Sequence, residues 1–142
     1  MAITLVRNNV RPLEGAIVRG YELGGAAQVG DAVYINASDV AIKGQGNANA
    51  TVRARGVIVA GAGVLPGTSY VTGQTVAVCV FGPIAGFTGM DVTNSVYVDA
   101  TTAGAVTQTA PSAGGTFVFS IGYPLRTDVL FIAPQETDPG SN

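Results

Sequence analysis

Val29-Gly-Asp-Ala-Val-Tyr-Ile-Asn-Ala-Ser38 returns later in the chain as Val92-Thr-Asn-Ser-Val-Tyr-Val-Asp-Ala-Thr101. Position by position, Asp31 stands with Asn94, Ala32 with Ser95, Val33 with Val96, Tyr34 with Tyr97, Ile35 with Val98 and Asn36 with Asp99. Each pair is identical or conservative. An Asx residue, a small residue, Val-Tyr-Ile/Val and a second Asx residue read as turn, strand, turn. β-Branched and aromatic side chains suit a pleated, half-buried surface, and Asx side chains suit its ends.

Working outward, the likeness continues. The first unit runs on through Ala41-Ile-Lys43 to Gly56-Val-Ile-Val59, the second through Ala105-Val-Thr107 to Ser120-Ile-Gly122. Two related strand-turn-strand units, about 26–60 and 89–125, therefore form the body of the chain, too few for a solenoid. No window carries a helical period, and short apolar runs are cut by turn residues every 8 to 12 positions. That pattern predicts an all-β single domain, a sandwich or a barrel.

The units sit in a chain of 142 residues, long enough to bury a core without staples. The apolar run Thr75-Val-Ala-Val-Cys-Val-Phe81 is hydrophobic on both faces, which places it centrally. Gly82-Pro83 is expected to end it, and Gly122-Tyr-Pro124 to bend a later strand. Residues 1–15 read as an N-terminal arm or edge strand, 16–133 as the β domain and 134–142 as a flexible tail. The small, polar stretch 44–51 reads as an exposed loop. From Val52 to Val59 a strand is expected, with Arg53 and Arg55 sharing one face. Those arginines read either as a solvated face or as a contact to an acidic partner.

Composition narrows the function classes. Charged residues are only 11% of the chain and glycines number 20, so the surface leans on Ser, Thr, Asn, Gln and backbone. Such a surface disperses a monomer poorly, which suggests coverage by copies of itself or by another protein. A net charge of −2 argues against nucleic acid or an anionic membrane as partner. No run is long enough to span a bilayer, and the first residues lack the pattern of a signal peptide, so synthesis in a cytoplasm is expected. Cys79 reads as a small buried hydrophobe with no disulfide partner.

Chemistry is sparse. The chain has no histidine, which removes the commonest general base and metal ligand. Its nine acids are spread out, and Asp31 aligns with Asn94, an exchange that turn chemistry tolerates and acid-base catalysis does not. Closely spaced glycines in 61–67 lack the Gly-Lys-Ser/Thr ending of a phosphate loop. We therefore expect no enzyme, no cofactor and no metal.

The order of Val29-Gly-Asp-Ala-Val-Tyr-Ile, Arg55-Gly-Val-Ile-Val, Thr72-Gly-Gln-Thr-Val-Ala-Val and Gly82-Pro-Ile resembles the small capsid decoration, or cement, proteins of tailed bacteriophages. Val96 to Pro111 followed by Ser120-Ile-Gly122 is similar to a strand-turn-strand cassette of phage head and tail accessory proteins. The likeness covers roughly residues 25–133. It implies an all-β protein that clamps neighbouring major capsid subunits on the virion surface, with trimerisation at local symmetry points and an arm crossing the shell. It carries no catalytic residues. The features that differ between the two units supply the contact candidates Ile3, Leu5, Arg7 and Arg11 in the arm, with Arg53 and Arg55. Removal of residues 1–12 is expected to weaken attachment and leave the domain folded. The alternative is a receptor- or glycan-binding domain of a tail fibre or baseplate, which requires an exposed aromatic platform. Tyr34 and Tyr97 read as strand core, and the chain has no Trp.

Overall fold

The computed structural model describes residues 3–60 and 69–142, so the glycine-rich stretch 61–67 lies outside the described residues. The chain opens with β1 (Thr4–Leu5), a 3-10 turn (Arg7–Asn9), β2 (Arg11–Pro12), β3 (Ile17–Glu22) and β4 (Ala27–Gln28). The first repeat unit supplies β5 (Ala32–Ile35), β6 (Ala41–Lys43), the single-turn helix α1 (Asn49–Val52) and β7 (Gly56–Val59). Then come β8 (Ser69–Tyr70), β9 (Thr75–Ala85) and β10 (Phe87–Thr88). The second unit supplies β11 (Val96–Val98), β12 (Val106–Thr107), β13 (Phe117–Val118) and β14 (Ser120–Arg126), followed by β15 (Val129–Ile132) and β16 (Gly140–Ser141). The fold is all-β, built on a curled antiparallel sheet.

Ten strands form that sheet, along the path β12-β11-β14-β15-β9-β7-β5-β6, with β2 and β3 also paired to β9. From either end the path reads alike: a unit's second strand, its first, its last, and then a strand from beyond the unit, β15 directly after the second and β9 next after β8 for the first. The register repeats as well. Val33 faces Gly56 across β5 and β7, and its counterpart Val96 faces Gly122 across β11 and β14. A methyl group on Gly56 would be driven into the carbonyl oxygen of Cys79, and one on Gly122 into that of Phe131. Both glycines therefore serve one purpose, letting the unit's last strand press backbone to backbone on its neighbour.

The second Asx residue of each copy caps its hairpin. Asn36 Oδ1 accepts from the Ser38 and Val40 amides at 2.9 and 3.3 Å, and Asp99 Oδ2 accepts from the Thr102 amide at 3.1 Å. Behind the cap, the Asn36 amide donates to Val40 and the Asp99 amide to Ala105. Each turn holds one left-handed residue, Asp39 (φ 62°) in the first and Gly104 (φ 81°) in the second. Val33, Val96 and Val98 are fully buried in one core with Ile58, Val78, Ile121, Leu130 and Ile132. Tyr34 and Tyr97, read as core, are only half-buried.

Neither glycine-proline pair stops its strand. β9 passes through Gly82 and changes partners there: Thr75 to Phe81 pair with β3 and in part with β7, Gly82 to Ala85 with β15 and in part β2. Gly82 takes φ 111°, beside Ala16. Pro83, which has no N–H to place, accepts the Leu13 amide at its carbonyl, 2.9 Å away. β14 likewise runs through Gly122 and Pro124. From 52 to 55 the expected strand is absent: α1 ends at Val52, and only Gly56 begins the strand.

The stretch 44–51 is no free loop. Gly44 and Gly46 are buried. The Gly46 amide donates to Asp99 and its carbonyl accepts from Phe117, both at 2.8 Å, and Gly104 exchanges bonds with Ala32 and Gly44. Gln45 adds side-chain bonds to Ala100 and Thr101. The sheet thus curls until the hairpin ends of the two units meet. The C-terminal segment is tied down too: β16 pairs with β13, Pro139 is buried, and Asn142 Nδ2 donates to Pro111 at 2.7 Å.

Candidate interaction surface

The N-terminal segment lies along its own domain. β1 pairs with β10, β2 with the end of β9, and Val10 is fully buried. Ile3 and Leu5 pack on the core, Leu5 against Gly30. Arg7 donates to Asp31 Oδ1 at 3.0 Å and to the Val29 carbonyl at 2.9 Å, and Asp31 Oδ2 takes the Gln28 amide at 2.8 Å. Asp31, the buried charged side chain among the described residues, is thus the anchor of that segment. Its counterpart Asn94 is exposed and its side chain bonds only to Asp91, so the two positions are not interchangeable here. Of the four N-terminal contact candidates, Arg11 alone is exposed, its guanidinium on the Asn9 carbonyl.

Arg53 and Arg55 do not share a strand face, yet they come together in an open groove of about 840 Å³. Arg19 and Tyr21 of β3 form one wall, Val80 and Phe81 of β9 part of the floor, and residues 133–137 the opposite wall. Three of the chain's seven Lys and Arg residues line this groove. Arg53 is held by Asn49 and by Asp138 at 3.2 Å. Arg19 and Arg55 are exposed and have no carboxylate within ion-pair distance among the described residues.

Beside the groove the sheet carries an apolar row. Ile17 is the cross-strand partner of Phe81. The Phe81 and Phe131 rings meet edge to face at 5.1 Å, and Tyr123 stacks on Phe131 at 5.3 Å. Leu125 lies two residues on in β14, in the register irregularity between Pro124 and Arg126. Ile17, Phe81, Tyr123 and Leu125 are 42 to 50% exposed. Alternation along each strand gives the physical reason, since it sends Phe81, Phe131 and Tyr123 to one face while Ile84, Leu130 and Ile132 fill the core. A contiguous exposed apolar row of this kind marks an interaction site on a folded domain.

Arg19, Tyr21, Phe81, Tyr123 and Phe131 are the residues that sequence reading left out. The missing signal lay in strand pairing, which alone aligns residues from β3, β9, β15 and β14. Burial pushes the Cys79 thiol up, against a contact to the Phe81 carbonyl that lowers it. Burial also raises the Tyr70 hydroxyl. Among the described residues no three His, Cys, Asp or Glu side chains converge, and no helix is long and apolar enough to cross a membrane. No protein-family model, curated protein or solved structure matches the chain.

Proposed function

We propose that this is a structural protein of a phage virion that binds the outer surface of the capsid and ties major capsid subunits together. One observation carries the reading: an exposed apolar row, Ile17-Phe81-Phe131-Tyr123-Leu125, beside a groove lined by arginines. Burying the half of each such side chain that is still exposed yields on the order of 1 kcal/mol each. A shell presenting many sites would hold the protein by this surface and be stabilised by mass action. The sequence resemblance supplies the capsid as partner and a homotrimer as the assembled form, and the low charge suits a surface meant to be covered. Purified protein mixed with bare capsids should cosediment saturably and appear in electron micrographs at fixed lattice points. Absence of binding at saturating protein rejects the reading. Sedimentation velocity should give three times the 14.3 kDa chain mass.

A second reading, a receptor- or glycan-binding domain of a tail fibre or baseplate, draws support from the same aromatic row, because sugar rings stack on exposed aromatic faces. Binding to a glycan array that is lost in Tyr123→Ala, together with indifference to capsids, would favour it.

A further inference from the structure

We infer that the groove between β3 and residues 133–137 receives an extended, carboxylate-bearing segment of the protein partner, its carboxylates on Arg19 and Arg55 and an apolar side chain on Phe81. This rests on the reading of the chain as a binding protein and names what its partner must present. Charge is the first argument. In a chain of net charge −2, three of seven cations gather in one groove, and two of them lack an acidic partner among the described residues. Guanidinium groups bind carboxylates through paired, directional hydrogen bonds, so unpaired arginines on both sides of β9 in one groove select that chemistry.

The second argument is that the molecule already does this once. Gln135-Glu-Thr-Asp138 is a strand-free acidic segment, bent at Glu136 and Thr137, whose first three residues line the groove and whose Asp138 reaches Arg53 at 3.2 Å. A carboxylate on a peptide backbone therefore reaches one arginine of the groove, Arg53, and Arg19 and Arg55 remain for a second such chain. Volume is the third. About 840 Å³ lies within the 300–1,000 Å³ of binding clefts and holds a few residues rather than a whole element. Phe81, 47% exposed, belongs to both groove and apolar row, so a segment seated here continues onto the row.

The test uses the full chain and a fluorescein-labelled hexapeptide of alternating Leu and Asp, read by fluorescence anisotropy. A Leu-Lys hexapeptide and a labelled oligothymidylate serve as comparisons. We expect saturable binding of the Leu-Asp peptide, weakening as salt rises. Binding should fall at least tenfold in Arg19→Glu/Arg55→Glu and in Phe81→Ser, with circular dichroism and melting unchanged. No binding of the Leu-Asp peptide, equal binding by the variants, or tighter binding of the Leu-Lys peptide overturns the inference. Tighter, groove-dependent binding of oligothymidylate overturns it in favour of a nucleic-acid surface. Bare capsids separate this inference from the reading it rests on. If wild type binds capsids and Arg19→Glu/Arg55→Glu binds them equally, the groove is not the docking site and the capsid reading stands. If wild type ignores capsids but binds the peptide through the arginines, the capsid reading falls and the groove stands.

Discussion

Gly56 and Gly122 show how a single atom sets the geometry of this sheet. Each lies where a β-carbon would meet a backbone carbonyl, of Cys79 or of Phe131, and backbone cannot yield as a flexible side chain can. We predict that Gly56→Ala and Gly122→Ala each cost roughly 1–3 kcal/mol, the usual penalty of forcing extra volume into packed structure. Gly114→Ala, with nothing within 4 Å of the added carbon, should change stability by less than about 0.5 kcal/mol. Urea unfolding of the three variants checks this, and a Gly122→Ala protein as stable as Gly114→Ala would remove the argument. At Asp91 the controlling chemistry is local charge. Its carboxylate accepts the Thr93 hydroxyl at 2.6 Å and the Thr93 amide at 2.9 Å, which hold its pKa below the ordinary value. A carboxyl group depressed by folding stabilises the fold fully above its unfolded value of about 3.9. That contribution is lost as pH falls through the lower folded value. The stability difference between wild type and Asp91→Ala should therefore be constant from pH 7 to about pH 5 and shrink in acid. A difference that grows in acid would contradict the sign.

Among the elements, the N-terminal segment most changes what the chain is expected to do. With Val10 fully buried, Arg7 bound to the buried Asp31, and β1 and β2 paired, residues 3–12 are part of the domain as well as its edge. We predict that deleting residues 1–12 lowers stability by on the order of 3 kcal/mol or more, since it empties a core position and leaves a buried carboxylate unpaired. Asp31→Asn, which installs the residue found in the second copy, should cost about 1–2 kcal/mol through the charge-assisted bond alone. Thermal melts of both would decide, and a deletion that melts with wild type would restore the picture of a detached arm. Much of the element plan was legible: the decapeptide pair gave β5 and β11 with their Asx-capped turns, and Thr75–Phe81 gave the central strand. What was illegible depended on contacts between segments distant in sequence. Glycine followed by proline signals a strand end at Gly82-Pro83, yet there the glycine lets Ala16 come close and β9 changes partners and runs on, while the bend expected at Gly122-Tyr-Pro124 is a register shift inside β14. Likewise 44–51 looked unstructured because its partners, Ala32, Asp99 and Phe117, are mostly remote in sequence.

At the scale of the molecule, duplication would ordinarily suggest two units that fold separately, and the topology argues against it. The units occupy opposite ends of one strand path, and their following strands β9 and β15 pair with each other at its centre. Core residues from both, Val33 and Ile58 with Val96 and Ile121, belong to a single buried cluster. At the far ends, Gly44 to Gly46 join Asp99 to Gly104 and close the curl. Each unit therefore supplies an edge that the other covers, at the centre and again at the rim. We predict one calorimetric transition with equal van't Hoff and calorimetric enthalpies, about 100 kcal/mol near 60 °C for a chain of 142 residues. Replacing buried Gly46, whose β-carbon would lie 3.1 Å from the Phe117 carbonyl and 3.3 Å from Ala100, should lower that transition without splitting it. Two transitions, in wild type or in Gly46→Val, would mean that the units fold independently and that the central β9–β15 pairing does not couple them. A single lowered transition would mean that the groove and the apolar row, built on β3, β9, β14 and β15 with Arg53 and Arg55 from the first unit, exist only in the fully folded molecule.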